Sequence, residues 1–393
     1  MTSSLHAVLL SLLAIPGDRP LAGYQAELLD VAFQAASAFP LRPHVKNRSR
    51  AQEEVVRACF QLDQPRRALA CVEQIEGWRK GAGYAAFAKY CARHGESGEV
   101  EHYLRLAREI AERNSSEEDF QDWQSDRILV EIAETRYLLG QEEEARKLEA
   151  DLVPSESGKV DQVRAARAAG DTFEADLARI RATADAGDFD AVRNALEVGV
   201  ALFDRHYADA DRRARARSAI ESSWTKLPSM IRMELLMDLV GAALRHEDAA
   251  EALRLLDASD RIRAEATWTP EDAILLESRL AALRFRAGDA ARARAGTDRA
   301  HETYETMRSQ IVDIQRAGAL RQLAEAYQAM GETAAALAVY RKAFEEGVVN
   351  PNSRPRANDL TATCCSMAVS GVEPDAELRA RIRKICGGLG DPW

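Results

Sequence analysis

One short run of arginines is the strongest candidate for binding a charged ligand. The run consists of Arg212, Arg213, Arg215 and Arg217. Clustered cations of this kind bind phosphate groups, and affinity for nucleic acid depends on them. Here, however, Asp209 and Asp211 flank the run, and the whole chain carries a formal net charge of −10. We therefore interpret the run as a solvated helix face, and we expect no nucleic-acid partner.

Metal binding would require histidines, cysteines or carboxylates at ligand spacing, and the sequence offers no such group. The seven histidines are scattered along the chain. His94 and His102 are the nearest pair, but Gly95 lies between them and predicts a turn that separates the two side chains. The run Glu142–Glu144 is typical of a solvated helix face. We expect neither a metal nor a cofactor.

Catalytic motifs are also missing. The chain has no GxxxxGK[ST], no GxGxxG after a strand, no HExxH and no GxSxG, the patterns that mark phosphate loops, dinucleotide sites, zinc proteases and nucleophile elbows. Gly81-Ala82-Gly83 is a turn before a helix. No nucleophile has a base beside it in the sequence, so we predict no catalytic residues and a protein that is not an enzyme.

The cysteines and apolar stretches bear on the compartment. None of the six cysteines forms a CxxC pair, which favours small buried hydrophobes in a reducing compartment. No stretch is long and apolar enough to span a bilayer, so no membrane partner is expected. Only eight lysines accompany many arginines and alanines, a composition that indicates a bacterial genome.

The N-terminal apolar run, residues 6–15, resembles part of a signal peptide. No Lys or Arg precedes it, and the A-x-A cleavage pattern is missing. We therefore predict a short covering helix and a cytoplasmic protein. The alternative is an exported protein, if residues 1–16 are a signal peptide.

The elements that must position any binding residues are helices. Hydrophobic residues make up 46% of the chain and charged residues 30%, with only 12 prolines and 22 glycines. Ala, Leu, Glu and Arg dominate, and all four are strong helix formers. No window alternates with the period of two that marks a half-buried strand. The composition predicts an all-α fold.

A repeating unit is clearest around Gly331. It reads Leu323-Ala324-x2-Tyr327-x3-Gly331-x4-Ala336-x3-Tyr340-x2-Ala343. Apolar residues recur with a period of 3.6 on both sides of the glycine, which predicts two amphipathic helices joined by one turn. The pattern of large, small and aromatic residues resembles the tetratricopeptide repeat. That resemblance implies a right-handed α-solenoid of antiparallel helix pairs, stacked as a superhelix.

Degenerate copies of this unit recur along the chain. Their turns fall at Asp63, Gly95, Gly140, Glu247 and Gly288, with 32 residues from 63 to 95 and 45 from 95 to 140. Gly170 and Gly187 are too close for two complete pairs, so they share one helix or shift the phase. The predicted domains are N-terminal capping helices in 1–47, repeats in 48–153, irregular helical repeats with a hinge in 154–246, repeats in 247–349, and a C-terminal helix pair or cap in 350–393, after a loop at 350–355.

The resemblance also implies a binding groove, since the first helix of each tetratricopeptide pair lines the concave surface. The corresponding positions are Arg50, Glu53, Arg57 and Phe60 in the first clear unit, Lys89 and Arg93 in the second, Arg127, Glu134 and Tyr137 in the third, and Arg321, Glu325 and Gln328 in the last. They mix Arg with Glu and lack the Lys and Asn of the chaperone-binding branch. We expect a protein or peptide partner of mixed charge.

Three functions are compatible with these features. The first is a non-catalytic scaffold or adaptor that binds a protein or peptide on its concave surface. The second is a regulatory sensor whose superhelix changes shape when it binds a small peptide or ligand, with 154–187 as the hinge. The third is a non-catalytic subunit of an enzyme complex, as in prenyltransferases whose α-subunit has a related architecture. Self-association through terminal repeats stays open.

Overall fold

The helical content follows directly from the composition. The structure, a computed structural model, describes residues 17–114, 122–149, 152, 154–167 and 170–393. These ranges contain nineteen α-helices, three short 3-10 turns and no β-strand, which confirms the prediction of an all-α fold. The apolar run at 6–15, interpreted above as a covering helix, lies outside the described residues.

The helices are numbered here in chain order. They are α1 Gly23–Ala38, α2 Leu41–Gln61, α3 Pro65–Val72, α4 Trp78–Arg93, α5 Val100–Asn114, α6 Asp122–Leu138, α7 Glu142–Glu149, α8 Pro154–Arg167, α9 Phe173–Ala186 and α10 Phe189–Arg205. The chain continues with α11 Ala210–Ser223, α12 Ser229–Arg245, α13 Ala249–Glu265, α14 Pro270–Arg286, α15 Ala290–Met307, α16 Asp313–Ala329, α17 Thr333–Glu346, α18 Ser353–Ser370 and α19 Ala376–Gly387.

The six predicted turns share one backbone conformation. Asp63, Gly95, Gly140, Glu247, Gly288 and Gly331 all have φ between 54° and 88°. In each turn the next residue donates its amide hydrogen to the carbonyl five residues earlier, over 2.9 to 3.0 Å, as from Glu332 to Tyr327. This is the Schellman end of a helix, in which a left-handed residue reverses the chain. The prediction of six equivalent turns is confirmed, and the chain is an all-helical protein built from repeated helix pairs.

The middle of the chain departs from this pattern. Gly170 and Gly187 do not adopt the left-handed conformation; Gly187 has φ −75° and ψ 158°. A single helix, α9, lies between them, and Asp188 caps α10 by accepting a hydrogen bond from the amide of Ala191 over 2.9 Å. The two glycines therefore share one helix, one of the two outcomes predicted for this spacing.

The helices form two compact units. Unit 1 comprises Met1–Ile110, Trp268–Ala282 and Ala290–Trp393, and unit 2 comprises Ala111–Thr267 and Leu283–Asp289. The predicted boundaries near residues 154 and 247 both fall inside unit 2, whereas the chain passes from one compact unit to the other after residues 110, 267, 282 and 289. Unit 1 thus contains described helices from both ends of the chain.

In unit 1 the first described helix pairs with the last long one. Helix α1 packs along α18 as extensively as helices that are adjacent in sequence, and the side-chain amide of Gln25 donates from Nε2 to the main-chain carbonyl of Ala368 over 2.9 Å. Ala32, Ala35 and Ala36 are completely buried, so the two backbones approach closely. The segments 1–47 and 350–393, each predicted as a cap, therefore supply one helix each to a composite pair.

The start of α18 differs from the expected loop at 350–355. The helix begins at Ser353, because the side chain of Asn352 accepts a hydrogen bond from the amide of Arg354 over 3.1 Å. Pro355 then falls in the first helical turn, where its missing amide hydrogen is not needed. The loop prediction was wrong for residues 353–355.

Candidate functional site

Four helices of unit 1 lie side by side in the order α16, α18, α2 and α4. Between α16 and α18, the residues in contact lie at similar distances from the first residue of their own helix. Arg321 and Asp359 approach to 3.3 Å, and the hydroxyl of Ser366 donates to Glu325 over 2.6 Å. Helices α16 and α18 are therefore parallel. We call the solvent-facing side of these four helices the inner face.

Helical spacing puts the predicted contact positions on this face. On α16, Arg321, Glu325 and Gln328 are partly exposed, whereas Leu323, Ala324 and Tyr327 on the opposite side are buried. On α2, Arg50 and Arg57 are exposed and lie two turns apart on the same side of the helix. Val55, Val56 and Cys59 are buried on its other side. Predicted residues of the first and the last repeat units therefore lie together on the inner face.

Arg321 is the central charge of the inner face. Its guanidinium pairs with Asp359, and the two side chains are only 20% and 13% exposed. It also acts on Glu54 of α2 together with Arg57. Glu54 in turn affects the buried thiol of Cys365 in α18, so it lies at the seam between α2 and α18. The guanidinium of Arg321 thus contacts Asp359 and also acts electrostatically on Glu54, which lies far from Asp359 in the sequence.

Burial controls the protonation of both carboxylates. Removal from water raises the pKa of Asp359 to about 6, while Arg321 lowers it and Glu54 and Asp313 raise it further. The pKa of Glu54 is raised by the same desolvation, against the opposing effect of Arg321 and Arg57. In both carboxyls the loss of hydration on burial raises the pKa, and the nearby arginines offset it only in part. An external cation would stabilise both charged forms.

The α16 and α18 side of the inner face is mainly acidic. Asp313 accepts a hydrogen bond from the amide of Asn350 over 2.8 Å. Glu325 is held by Ser366, whose hydroxyl also contacts the hydroxyl of Tyr340 at 2.7 Å. These bonds hold the carboxylates of Asp313 and Glu325, and the carboxylate of Asp359 pairs with Arg321.

The α2 and α4 side of the inner face is mainly basic. Arg50, Arg57 and Arg93 are exposed, and none of the three forms an ion pair with a described residue. Glu53 does not compensate them, since it pairs with the nearly buried Arg79 of α4 at 3.0 Å. Lys89 is half-buried on the same helix as Arg93. Charge is therefore separated across the four helices.

Phe60 has a packing role between α2 and α4. Its ring stacks on Tyr90 with centroids 5.2 Å apart and an interplanar angle of 22°. It also lies 6.5 Å from the ring of Phe87. The residue half-covers the seam between the two helices and leaves only part of its ring accessible to a partner.

The predicted positions in unit 2 present little surface. Glu134 and Tyr137 are 7% and 4% exposed. The hydroxyl of Tyr137 donates to Glu149 of α7 over 2.6 Å, and burial together with that carboxylate raises its pKa to about 12. Arg127 is half-buried. These side chains hold α6 against its neighbours and do not belong to the inner face of unit 1.

The basic run Arg212–Arg217 links helices of unit 2. Arg212 pairs with Asp171 at 2.6 Å, Arg215 with Glu174 at 2.6 Å, and Arg217 with Glu251 at 2.8 Å. Arg213 donates to the carbonyl of Tyr207 over 3.1 Å. Each guanidinium thus has a partner outside the run, which explains how four close cations are accommodated in an acidic chain.

The cysteines and His94 have packing roles. All six cysteines are buried and free, which confirms the prediction that they act as small core residues. The ring of His94 stacks on that of Tyr90, with the ring centroids 4.0 Å apart.

Within the described ranges, no three His, Cys, Asp or Glu side chains are grouped closely enough to hold a metal. Among the described helices, none combines the length and apolar character needed to cross a bilayer.

Four residues of the inner face were not predicted: Glu54, Asp313, Asp359 and Ser366. Glu54 has a local signal, because it lies one turn from both Arg50 and Arg57 on the same face of α2. Asp359 and Ser366 have none, since they join the face only through the packing of α18 between α16 and α2.

Comparison with known proteins adds little. No protein-family model matches the chain, and no curated protein matches it. One solved structure, described as a circular tandem repeat protein with novel repeat topology and enhanced subunit contact surfaces, aligns with 93% of this chain and 94% of its own. The sequence identity is 15% and the TM-score is 0.21, so the likeness supports no argument about function.

Proposed function

We propose that this chain is a non-catalytic adaptor that binds a segment of another protein across the inner face of unit 1. The observation that carries the proposal is the separation of charge over four adjacent helices. Carboxylates dominate on α16 and α18, and unpaired arginines dominate on α2 and α4. A partner segment with basic residues at one end and acidic residues at the other would complement both halves.

The size of the face suits a short peptide. Neighbouring helices pack about 8–10 Å apart, so four helices span about 24–30 Å from the first axis to the last. An extended chain of about eight residues covers this length at roughly 3.3–3.6 Å per residue. Charges at its two ends would fix its direction as well as its register.

The acidic half supplies the anchor in this proposal. A lysine or arginine of the partner would approach Asp359 of α18 together with Glu54, which lies at the seam where α18 meets α2; burial raises the pKa of both carboxyls, and a cation from the partner would stabilise their charged forms. The basic half supplies long-range attraction, since Arg50, Arg57 and Arg93 are exposed. A right-handed superhelix of the tetratricopeptide type belongs to the same proposal. The six equivalent turns and the parallel arrangement of α16 and α18 support the stacking of helix pairs.

A peptide-display selection tests the proposal. Random twelve-residue peptides are selected on the full chain, and their affinities are measured by fluorescence anisotropy. We expect enriched peptides that carry acidic and basic residues at opposite ends. The triple variant Arg50→Glu, Arg57→Glu, Arg93→Glu should bind them at least tenfold more weakly. Arg181→Gln, at an exposed arginine of unit 2, should bind them like the parent.

Two results would overturn the adaptor function. One is a selection in which no peptide is enriched above the immobilisation background. The other is enrichment of peptides whose affinity is the same for the parent and the triple variant, because such peptides bind elsewhere on the chain. Circular dichroism of each variant distinguishes lost binding from lost folding.

A further inference from the structure

A cavity of about 140 Å³ lies between α8, α9 and α10 in unit 2. Helices α8 and α9 each pack along α10 but make few contacts with each other, which leaves the space open. Its polar lining comes from Asp161, Arg179, Thr183 and Asn194, and its apolar lining includes Ile180 and Val198. Empty cavities of similar size, near 150 Å³, accept a molecule as large as benzene.

Opposite charges line this cavity and balance each other. The guanidinium of Arg179 lies 3.5 Å from the carboxylate of Asp161, at the limit of a hydrogen bond. Each group has a nearer partner, since Asp161 also pairs with Arg164 and Arg179 pairs with Asp176 at 3.1 Å. The direct contact between Asp161 and Arg179 is therefore weak, and a ligand with both charges could replace it.

Two further polar groups at the cavity lack partners. The side-chain amide of Asn194 and the hydroxyl of Thr183 form no hydrogen bond with any described residue, although both side chains are half-buried. A methyl group added at Gly158 would overlap the amide of Asn194, so the glycine lets this amide lie directly against α8. Both groups are therefore available to form hydrogen bonds with a ligand in the cavity.

The apolar wall limits the ligand to a small aliphatic group. Ile180 and Val198 are 1% and 2% exposed, and they lie on the α9 and α10 sides of the cavity. Ala191 and Ala195 extend this wall on α10 without filling the space. A short branched side chain would bury its surface here, at about 0.8 kcal/mol per CH₂.

We propose that this cavity binds a free α-amino acid with a short aliphatic side chain. The ammonium group would contact Asp161, the carboxylate would contact Arg179, and Asn194 and Thr183 would satisfy the remaining hydrogen bonds. The site lies in unit 2 and is independent of the adaptor function. Because the ligand touches three helices, two of which pack loosely on each other, its binding stabilises unit 2 against unfolding.

Calorimetry and thermal unfolding of the full chain test this site. L-Valine, L-leucine, L-isoleucine and L-alanine are compared with isovalerate, which lacks the ammonium, and isobutylamine, which lacks the carboxylate. We expect at least one of the amino acids to bind and to raise the melting temperature. The two truncated analogues should bind at least tenfold more weakly.

Variants locate the binding. Asp161→Asn and Arg179→Gln should each weaken it at least tenfold, and Ala195→Leu should abolish it by filling the cavity. Arg181→Gln, on the exposed side of α9, is the matched control and should bind like the parent. The site is refuted if none of the four amino acids binds at millimolar concentration. It is also refuted if binding persists in both Ala195→Leu and Asp161→Asn.

Discussion

The hydroxyl of Thr361 in α18 donates a hydrogen bond of 3.3 Å to the main-chain carbonyl of Ala32 in α1, and both residues are completely buried. A threonine side chain is short, so this bond requires that the two helix backbones approach closely. The residues are 329 positions apart in the sequence. Helices from the two ends of the chain therefore pack as tightly as the helices of a pair joined by a turn.

Enlarging an alanine at this contact should destabilise the protein. We expect Ala32→Leu to lower the free energy of unfolding by about 1–3 kcal/mol through overpacking. Ala336→Leu should cost a similar amount, because Ala336 is buried at the contact of α16 and α17. Ala329→Leu, at an exposed position of α16, is the control and should change little. Urea denaturation that shows Ala32→Leu as stable as the parent would contradict the close packing of α1 on α18.

Local sequence was sufficient to predict the helix pairs. A left-handed residue at a helix end, followed by a capped helix, depends on residues within one or two turns. The pattern around Gly331 therefore identified the turn at Asp63 even though that turn lacks a glycine. The same locality explains the error at Pro355, where the Asn350–Pro355 composition suggested a loop but Asn352 caps the helix.

Contacts between distant segments could not be predicted in this way. The pairing of Arg321 with Asp359 requires α18 to lie beside α16, and nothing in either segment alone specifies that neighbour. The same holds for Tyr137, which the repeat pattern predicted as a groove position. Its burial depends on α7 packing over α6 and on the hydrogen bond to Glu149.

The two turns without glycine should respond differently to the same substitution. Glu247 has φ 58° and is exposed, and its carboxylate forms no hydrogen bond or ion pair with a described residue. We expect Glu247→Gly to stabilise the protein by about 0.5–1 kcal/mol, since glycine adopts this conformation without strain. Gly331→Ala, at φ 78°, should cost about 1 kcal/mol.

Asp63 provides the matched comparison for Glu247. Its φ is 54°, but its carboxylate accepts a hydrogen bond from Tyr90 over 3.2 Å. Asp63→Gly removes both the strain and the bond, so we expect no net gain in stability. Thermal and urea unfolding of the three variants measure these differences. If Glu247→Gly proved less stable than the parent, strain at this turn would not be the dominant effect.

The ion pair of Arg217 and Glu251 should stabilise unit 2 at neutral pH. Glu251 is 11% exposed and lies 2.8 Å from Arg217. Its pKa is lowered by hydrogen bonds from Arg254 first and Arg217 second. We expect Arg217→Gln to lower the free energy of unfolding by about 1 kcal/mol at pH 7. Arg181→Gln, at an exposed arginine that forms no ion pair with a described residue, is the control.

The pH dependence of this effect has a definite sign. A carboxyl whose pKa is lower in the folded state stabilises the protein above its unfolded value, 4.5 for Glu251. This contribution is lost as the pH falls through the folded pKa. The difference between Arg217→Gln and the parent should therefore shrink in acid. A difference that stayed constant between pH 7 and pH 3 would indicate that Arg217 acts through packing alone.

Asp359 should have the opposite effect on stability. Burial raises its pKa from 3.8 to about 6 in the folded protein, so the folded state binds the proton more tightly than the unfolded chain does. The free energy of unfolding therefore falls as the pH rises from about 4 to about 6.

The substitution Asp359→Asn tests this effect, because it keeps the shape of the side chain and removes its charge. At pH 7 we expect this variant to be more stable than the parent by roughly 2–3 kcal/mol, with Glu54 still available to Arg321. Below about pH 3 the two proteins should be equally stable, because Asp359 is then mostly protonated in the unfolded chain as well as in the folded protein. Urea denaturation at a series of pH values measures the difference. If the parent were the more stable protein at pH 7, the ion pair with Arg321 would outweigh the cost of burying the Asp359 carboxylate, and the inner face would carry no uncompensated negative charge for a partner to neutralise.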